Sequence, residues 1–377
     1  MRVAYVCIDP GVPVFGTKGS SVHVQEILRA FLARGDEVTV YCTRTGTDIP
    51  ADLAGVRVVR EKISPGPAAA RERAISRTAQ LLAERVIADG CDLVYERFSL
   101  FSDATALIAA ATGARTIVEV NSPLIDEQRL HRDLVDDESA ERIAGVVLGS
   151  ADVVTCVSQP VAEWAAAHGA HAPIVAPNGV NTGRITPAAT ASSSAELRVG
   201  FVGTLKPWHG VDILIDAVAA YAGDIPLRLV IAGDGPQMAA LRAHAAEAGV
   251  DVEFLGAVAP EAMPAVLQTL DVGVAPYPAV ADTYFSPLKV YEYLAAGLPV
   301  IASRVGEIPD VVEDGMTGLL VEPGSVAALT TALTSLADAP VARTRMARAA
   351  RETAVSRHAW TGVLDRILSH LDAEVRA

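Results

Sequence analysis

Residues 284–303 read YFSPLKVYEYLAAGLPVIAS, and this stretch predicts a helix that runs directly into a buried strand. Ser286 and Pro287 suit the N-cap and the first helical position, because a serine hydroxyl accepts from a free backbone N–H and proline has no N–H to leave unpaired. Gly297 is a natural left-handed stop after the helix, and the apolar residues that follow it predict a short strand. The stretch is therefore a helix–strand unit of an α/β fold.

Lys289 and Glu292 lie three residues apart, on one face of the predicted helix and within its first two turns. A helix N-terminus offers free N–H groups and the positive end of a dipole, so a lysine there suits a phosphate. Glu292, one turn deeper, suits a pair of hydroxyl groups, and phosphate beside a diol is what a nucleoside diphosphate presents. An exposed Lys–Glu pair worth about 0.2–0.5 kcal/mol on an ordinary helix explains the pattern equally well.

The composition predicts a globular chain of two domains without affinity for nucleic acid. Its 377 residues exceed what one core of ordinary size supports, and 51% of them are hydrophobic. The formal net charge of −14 argues against a nucleic-acid binder, since binding to phosphate backbones needs a basic surface. No apolar run approaches the length of a membrane span, and RVAYVCI is too short for a signal peptide, so we expect a cytoplasmic protein.

One basic helical segment offers membrane contact as an alternative. Residues 68–88, AAARERAISRTAQLLAERVIA, carry four arginines on a helical pattern and can touch an anionic membrane. Glu72 and Glu84 interrupt this charge, so a solvated helix is favoured and membrane contact is not.

The cysteines are widely spaced and lie in or beside apolar runs. This placement is typical of core thiols and lacks the spacing of a metal site or a disulfide framework. The four are Cys7, Cys42, Cys91 and Cys156.

Apolar strand-like runs alternate with helical patterns along both halves of the chain. Such alternation predicts parallel strands with crossover helices, that is, doubly wound α/β sheets. The first half contains RVAYVCI, EVTVYCT, DLVYE, RTIVEV and DVVTCVS. The second half contains LRVGFVG, PLRLVIAG, DVEFLG, DVGVAPY, LPVIAS and GLLVE.

A stretch without apolar periodicity separates the two halves. Residues 176–196, APNGVNTGRITPAATASSSAE, have the Pro, Gly, Asn and Ser content of a linker. We expect two Rossmann-like domains that face each other across a cleft, where the carboxyl ends of both sheets bind ligands. The expected boundaries are a first domain at 1–183, a linker at 184–196, a second domain at 197–357 and a C-terminal helix at 358–377.

In the first domain, the loop GVPVFGTKGSSVHVQEI joins the first strand to its helix. Gly16 and Gly19 allow close backbone approach to a ligand, and Lys18 is the exposed cation of the loop. Ser20 or Ser21 suits the N-cap of the helix, whose N-terminus then points into the cleft. The loop lacks the spacing of a dinucleotide fingerprint, and a merely flexible loop is the alternative.

Two loops of the second domain add to the site around Lys289. VGTLKPWHGVD, residues 202–212, places Lys206 and His209 on either side of a stiff Pro-Trp turn that directs cations at the cleft. LGAV, residues 255–258, can hydrogen-bond a base edge through the backbone around Ala257 and Val258. Together these loops predict a site for a nucleoside diphosphate.

Five stretches resemble glycosyltransferase family 4, the retaining enzymes with the GT-B double-Rossmann fold. They are APNGVN, FVGTLKPWHGVD, AGDGPQ, FLGAV and VYEYLAAGLPVIASRVGEIPDVVEDGMTGLLVEPG. The resemblance implies that Glu292 holds the ribose hydroxyls of the donor. It also implies that the backbone N–H groups around Pro287 to Lys289, those of Leu288 and Lys289, hold the diphosphate, and that the last helix crosses back onto the first domain. We assign the turn at Gly203 to the donor site as well.

The sequence departs from the family pattern at four positions. Thr204 and His209 stand near positions where the family usually has an arginine and a lysine, and we assign the displaced phosphate charge to Lys206. Tyr284 replaces the first glutamate of the family's paired acidic motif, and Asn121 replaces a histidine after RTIVEV. The last two departures lie where the sugar sits, so they leave the sugar open and the nucleotide site intact.

The resemblance implies transfer of a glycosyl unit, with retention, from a nucleoside-diphosphate sugar to a hydroxyl-bearing small molecule or glycan. A UDP-sugar is the favoured donor. Lys206, Lys289 and the helix N-terminus at Ser286 stabilise the charge that grows on the leaving diphosphate, so no metal and no other cofactor is expected. A nucleotide-sugar epimerase of the same fold and a non-catalytic sugar-nucleotide-binding protein are the alternatives.

Polar residues of the first domain are candidates for the acceptor side. Glu119, Asn121 and Glu127 orient donor or acceptor hydroxyls in this hypothesis, and a polar loop that caps the next helix is the alternative. Arg97 in YERFSLF is a further acceptor-side candidate, with an ion pair to Glu96 or Glu119 as its alternative.

Overall fold

The computed structural model describes residues 1–47, 49–189, 195–279 and 286–374, with side chains as far as residue 371. The chain divides into two units by its contacts. The first unit is Met1–Asn178 together with Trp360–Ala377, and the second is Gly179–Ala359. Each unit contains one parallel sheet with crossover helices, which confirms the α/β class predicted from the alternation.

The sheet of the first unit has seven parallel strands in the order β3-β2-β1-β4-β5-β6-β7. The strand order reverses between β1 and β4, and this reversal is the topological switch point of a doubly wound sheet. The strands are apolar along most of their length because helices cover both faces. They are β1 (Arg2–Cys7), β2 (Glu37–Cys42), β3 (Arg57–Arg60), β4 (Leu93–Arg97), β5 (Arg115–Val120), β6 (Val153–Cys156) and β7 (Ile174–Val175).

In the described part of the first half of the chain, six α-helices follow these strands. They are α1 (Gly19–Ala33), α2 (Ala68–Asp89), α3 (Ala104–Thr112), α4 (Leu124–His131), α5 (Asp137–Ser150) and α6 (Gln159–Ala167). On α2 the arginine-rich pattern forms a helix whose apolar side is buried, and Glu72 within it accepts hydrogen bonds from two backbone N–H groups of the loop before α5.

The sheet of the second unit has six parallel strands in the order β10-β9-β8-β11-β12-β13. Alternate residues of β12 belong to different buried clusters, Val300 and Ala302 to one and Ile301 to the other, so apolar residues cover both faces of the sheet. The strands are β8 (Leu197–Val202), β9 (Leu227–Ala232), β10 (Val252–Gly256), β11 (Val272–Ala275), β12 (Val300–Ser303) and β13 (Gly318–Val321).

Among the described residues, seven α-helices belong to the second unit and an eighth, α14, belongs to the first. They are α7 (Val211–Ala219), α8 (Met238–Glu247), α9 (Met263–Leu267), α10 (Leu288–Ala295), α11 (Ile308–Val311), α12 (Val326–Asp338) and α13 (Pro340–Arg357), followed by α14 (Trp360–Glu374). None of the helices in the described residues is long and apolar enough to cross a bilayer.

The start of α10 differs from the prediction. The helix begins at Leu288, and Pro287 precedes it in an extended conformation with φ −80° and ψ 95°. Ser286 is not the N-cap, because the helix begins at Leu288 and Pro287 holds the cap position; the Ser286 hydroxyl hydrogen-bonds with the hydroxyl of Tyr291 at 3.1 Å. The predicted stop is confirmed, since Gly297 has φ 68°.

The segment around residue 183 groups with the second unit. Val180 N–H donates to the carbonyl of His358 at 2.8 Å. The guanidinium of Arg351 donates to the carbonyls of Ile185 at 2.8 Å and Thr182 at 2.9 Å. Arg351 lies on α13 and His358 directly follows that helix. These hydrogen bonds join residues 180–185 to the second unit, which therefore begins at Gly179.

The C-terminal helix returns to the first unit, as the fold class implies. Helix α14 packs against α1 and β6. Arg34 at the end of α1 forms an ion pair with Asp365, and Arg115 of β5 donates to the carbonyl of Leu371.

Candidate functional site

The crevice of the second unit lies at its switch point, between β8 and β11. These two strands pair only through the first two residues of β11, so they are not joined by backbone hydrogen bonds toward their carboxyl ends. Tyr293 of α10 fills this gap. Its hydroxyl accepts from Val202 N–H at 2.8 Å and donates to the carbonyl of Val274 at 3.3 Å. Ligands of doubly wound sheets bind outside such a crevice.

Lys289 lies one turn before Tyr293 on α10 and is only 8% exposed. Its Nζ donates to the hydroxyl of Tyr277 at 3.2 Å. The same atom lies 4.6 Å from the ring centroid of Phe201 and 4.9 Å from that of Tyr277, within the range of cation–π attraction. The alternative of an exposed Lys–Glu pair is therefore wrong, because the lysine is enclosed by aromatic rings from β8 and from the loop after β11.

The enclosure changes the proton affinity of the amine. Burial lowers the pKa of Lys289 to about 7, and the negative charge of Glu292 opposes this shift without cancelling it. A lysine in this position exchanges its proton near neutral pH, whereas an exposed lysine stays charged.

Two glycine turns meet beside Lys289. Gly203 follows β8 with φ 141°, and a side chain there would come within 3.1 Å of Cε of Lys289. Gly233 follows β9 with φ 151°, and its Cβ would lie 1.9 Å from the carbonyl oxygen of Gly203. Only glycine allows both the backbone conformation and this approach, so the turns bring bare backbone to the edge of the crevice.

His209 lies on the rim of the same site as a neutral side chain. Its Nδ1 lies 2.5 Å from the carbonyl oxygen of Thr204, so Nδ1 carries the proton and Nε2 is left as an acceptor. Burial, followed by the nearby charge of Lys289, lowers the pKa of His209 to about 4. The expectation that His209 adds a cation is wrong, because a neutral imidazole offers a hydrogen-bond acceptor instead.

Lys206 lies against an indole. Its Nζ is 5.4 Å from the ring centroid of Trp208, and Trp208 is 51% exposed. The lysine that lies against Gly203 is therefore Lys289, and Lys206 belongs to the outer part of the turn.

The other donor-side predictions fall at the edge of the second sheet. Ala257 is exposed after β10, and Val258 is half-buried against one of the two cores. Glu292 is half-buried on α10. Tyr284 lies outside the described residues, as does Asp282.

In the first unit, Glu119 is the centre of a buried polar cluster at the carboxyl end of β5. One carboxylate oxygen accepts from His23 Nε2 at 2.7 Å and from the Tyr95 hydroxyl at 2.8 Å. The other accepts from Asn121 Nδ2 at 3.2 Å and lies 3.9 Å from Nη1 of Arg97. Burial raises the pKa of Glu119, but His23 and Arg97 outweigh it and bring the value to about 2.

These contacts restrict what Glu119 can do. It is 4% exposed and both oxygens already accept from protein side chains, so it is a fixed anion that orients its neighbours. Asn121 is half-buried and held by Glu119, and Glu127 is half-buried on α4.

His23 was not among the predicted site residues. It contacts Glu119 and also the two residues of the first unit at which the chain leaves it and returns to it, Asn178 and Trp360. Its Nδ1 lies 2.6 Å from Oδ1 of Asn178, the last residue of the unit's first segment. Its ring meets Trp360, the first residue of the returning segment, edge to face at 4.8 Å. Its buried side on α1 also carries Gln25 and Glu26, so the sequence offered no clear signal for His23.

Arg97 is 12% exposed at the end of β4, and its Nη1 is buried without a hydrogen-bond partner in the described structure. The weak ion pair to Glu119 matches one of the two predicted alternatives. Glu96 takes no part in it, because its carboxylate accepts from Ser102 and Thr105 at the start of α3.

The glycine-rich loop before α1 is held by hydrogen bonds at Phe15 and Gly16. Phe15 N–H donates to the carbonyl of Thr45 at 2.7 Å, and the Gln25 side chain donates to the carbonyl of Gly16 at 2.9 Å. A side chain at Gly16 would come within 2.6 Å of Oγ of Ser21.

The helix that follows this loop begins at Gly19, with the exposed Lys18 at its N-cap position and no side-chain cap. The caps expected from Ser20 or Ser21 are therefore absent. The Ser21 hydroxyl is buried without a hydrogen-bond partner in the described structure.

Comparisons with known proteins agree with this architecture. Residues 17–184 match the family model described as Glycosyltransferase Family 4, and residues 196–339 match Glycosyl transferases group 1. The chain is 30% identical over 371 residues to the GDP-mannose-dependent alpha-(1-6)-phosphatidylinositol monomannoside mannosyltransferase of Mycolicibacterium smegmatis, covering 89% of this chain and 91% of that protein. The chain belongs to glycosyltransferase family 4.

Further similarities place the family 4 chain among enzymes of the GT-B fold. It is 28% identical over 416 residues to the D-inositol 3-phosphate glycosyltransferase of Acidothermus cellulolyticus, covering 97% of this chain and 89% of that protein. The structure of Anabaena HepE in complex with UDP superposes with a TM-score of 0.75 at 18% identity, covering 99% of this chain and 100% of that chain. The protein is thus a glycosyltransferase with two parallel-sheet α/β domains.

Within this family 4 enzyme, Tyr277 is the second residue that the sequence reading missed. It lies in the loop after β11, is buried, and provides both a ring and a hydroxyl to Lys289. A tyrosine between two prolines, directly after a buried strand at the switch point, was the available signal.

Proposed function

We propose that this enzyme transfers a hexosyl unit, with retention of the anomeric configuration, from a nucleoside-diphosphate sugar to an acceptor hydroxyl. The single observation that carries the proposal is the position of Lys289 in the switch-point crevice, beside the Gly203 turn and the first turn of α10. Bare backbone, a helix N-terminus and a lysine are together suited to a diphosphate.

The chemistry follows from that placement. The bond between the anomeric carbon and the diphosphate oxygen breaks, and negative charge grows on the leaving group. Lys289 and the free N–H groups of α10 stabilise this charge, which is the preorganised electrostatic effect that usually dominates catalysis. The acceptor oxygen bonds to the anomeric carbon on the same face, and its proton passes to the leaving diphosphate. No metal ion has a role in this proposal.

Other residues of the second unit take supporting roles. Glu292 accepts hydrogen bonds from the ribose hydroxyls, and the backbone around Ala257 and Val258 reads the base. Nε2 of His209 accepts a hydrogen bond from a hydroxyl of the donor, since the ring is neutral and its Nδ1 proton is already bound by Thr204. Lys206, at the opening of the site, attracts the negatively charged donor over a longer distance.

The choice of base and acceptor rests on the relatives. The Mycolicibacterium relative is named as GDP-mannose-dependent, and this supports GDP-mannose as the first donor to test. UDP-sugars, the donors expected from the sequence, are the second donors to test. The relatives' names mention phosphatidylinositol monomannoside and D-inositol 3-phosphate, so acceptors with an inositol hydroxyl are the first to test. Cytoplasmic location stays a prediction.

The direct test is calorimetric titration of the full-length protein with GDP, UDP, ADP and dTDP, followed by assays of sugar transfer. Micromolar binding of one diphosphate is expected, and it should weaken at least tenfold in Lys289→Ala and Glu292→Ala. Lys62→Ala, which removes an exposed lysine of the first unit, and Glu247→Ala, at the end of α8, are the matched controls.

Three results would overturn parts of the proposal. Unchanged affinity in both site variants would refute the assignment of the site. Release of free nucleotide or an epimerised sugar without any acceptor would favour the epimerase alternative. An anomeric proton coupling that shows inversion in the product would refute retention.

A further inference from the structure

We propose that the amine of Lys289 takes up a proton when the diphosphate of the donor binds, and that Tyr277 is the residue that positions this amine. The inference rests on the proposed function, since it concerns the same diphosphate site. It makes Lys289 a switchable charge, present in full only in the complex.

The first support is the poor accommodation of an ammonium in the free site. A protonated lysine has three N–H donors. Within the described residues, the Tyr277 hydroxyl at 3.2 Å is the one acceptor in hydrogen-bond reach of Nζ. The remaining described surroundings of Nζ are the rings of Phe201 and Tyr277 and the Gly203 turn. Two donors of the charged form are left to be satisfied by a ligand.

The second support is the set of titratable groups around the amine. Burial raises the pKa of Tyr277, so its hydroxyl stays neutral. His209 is neutral as well, because its own pKa is about 4. Glu292 on the same helix is the source of negative charge that acts on Lys289, and it is outweighed by burial. The pKa of Lys289 in the free protein is accordingly about 7.

A diphosphate supplies what the free site lacks. Its oxygens are strong acceptors for the two remaining N–H donors, and its negative charge favours the ammonium form. Because binding raises the proton affinity of the amine, the affinity for the donor is complete below pH 7. Affinity then falls about tenfold for each pH unit above that value until the pKa of the complex is reached. An arginine would remain charged throughout and would show no such dependence.

Tyr277 sets the geometry of this switch. Its hydroxyl is the acceptor that directs Nζ, and its ring forms one wall of the enclosure. Tyr277→Phe keeps the wall and removes the acceptor. The variant should have a lower pH midpoint for donor binding than the wild type, because loss of the acceptor favours the neutral amine.

The test is calorimetry of GDP-mannose and of UDP-glucose binding to the full-length protein in buffers of different ionisation enthalpy. A sugar nucleotide is the right probe because its diphosphate is esterified at both ends and has no phosphate group that titrates near pH 7. At pH 8 the wild type should take up about 0.9 proton per donor bound, and at pH 6 about 0.1, as follows from an amine with a pKa of about 7.

Variants test whether Lys289 is the residue that takes up the proton. Lys289→Arg, if it binds the donor, should show no proton uptake at pH 8, and Tyr277→Phe should shift the affinity profile toward lower pH. Tyr221→Phe, which removes a hydroxyl bound to an exposed carbonyl of the same unit, is the matched control and should match the wild type. If Lys289→Arg does not fold, the absence of proton uptake in the wild type still refutes the inference, and a shift of the affinity profile in Tyr277→Phe still assigns the uptake to the amine that Tyr277 contacts.

The outcomes distinguish a failure of the proposed function from a failure of this inference alone. Binding of neither sugar nucleotide at any pH between 6 and 8 would refute the proposed function and this inference with it. Binding without proton uptake at pH 8 would refute this inference alone and leave the diphosphate site in place. Proton uptake that persists unchanged in Lys289→Arg would assign the titrating group to another residue and overturn the proposal.

Discussion

Tyr293→Phe should destabilise the second unit by about 2 kcal/mol, although it removes a single oxygen atom. In the wild type this oxygen accepts from Val202 N–H at 2.8 Å and donates to the Val274 carbonyl at 3.3 Å, between two strands that are not paired there. Without it, a buried backbone N–H of β8 has lost its acceptor.

The magnitude follows from that orphaned amide. A buried donor left without a partner costs about 1–3 kcal/mol, and the phenylalanine ring fills the space of the tyrosine, so no cavity adds to the cost. For a unit of 150–250 residues each kcal/mol lowers the melting temperature by about 2–4 °C, so we expect a decrease of about 4–8 °C.

Two measurements check this expectation. Differential scanning calorimetry gives the melting temperature, and hydrogen–deuterium exchange of residues 197–203 reports directly on β8. Exchange of the Val202 amide should accelerate, since its protecting acceptor is gone. Tyr221→Phe should change stability by less than about 0.5 kcal/mol, because water replaces its exposed hydrogen bond. Equal melting temperatures for the two variants would show that the hydroxyl of Tyr293 does not hold the strands.

Three further predictions concern the glycine turn at Gly233, the carboxylate of Glu119 and the two lysines near the Gly203 turn. Gly233→Ala should lower the unfolding free energy by more than about 2 kcal/mol in urea titration, because its Cβ would lie 1.9 Å from the carbonyl oxygen of Gly203. Gly249→Ala, at φ 70° with open space around it, should cost only about 1–2 kcal/mol. Glu119→Gln should destabilise the first unit at pH 7. Its deficit should shrink as the pH falls from about 4.5 toward 2, since the native pKa of Glu119 is depressed to about 2 and its contribution is lost through that window. Lys206→Met should weaken binding of GDP-mannose less than Lys289→Met does.

Local patterns were sufficient for the fold class and for most of the elements. The alternation of apolar runs predicted the strands of the second sheet and five strands of the first, but it missed β3 and β7. Gly297 ends α10 in the left-handed conformation expected of it. Such features depend on neighbours in sequence. The prediction of Ser286 as the N-cap was wrong for a local reason too. Capping rules consider backbone N–H partners, and they do not consider a side chain such as the Tyr291 hydroxyl, with which Ser286 hydrogen-bonds.

The environment of each functional side chain was not predictable in the same way. Spacing places Lys289 on a helix face, but whether that face meets water depends on Phe201 and Tyr277, which come from other elements. His23 is an extreme case, because its partners Glu119 and Asn178 are 96 and 155 residues away. Long-range contacts determine whether a titratable group is solvated, charged or buried, and a single sequence does not specify them.

The departures from the family pattern have a common physical explanation in the second unit. The loop after β8 has Thr204 and a neutral His209 near positions where the family usually has an arginine and a lysine. Lys289 brings an amine to the Gly203 turn from α10 instead. A cation on an exposed loop is always solvated and charged, whereas an amine among aromatic rings is charged chiefly when an anion is present. We therefore expect the same crevice to bind a diphosphate with a dependence on pH that an arginine in the loop would not produce.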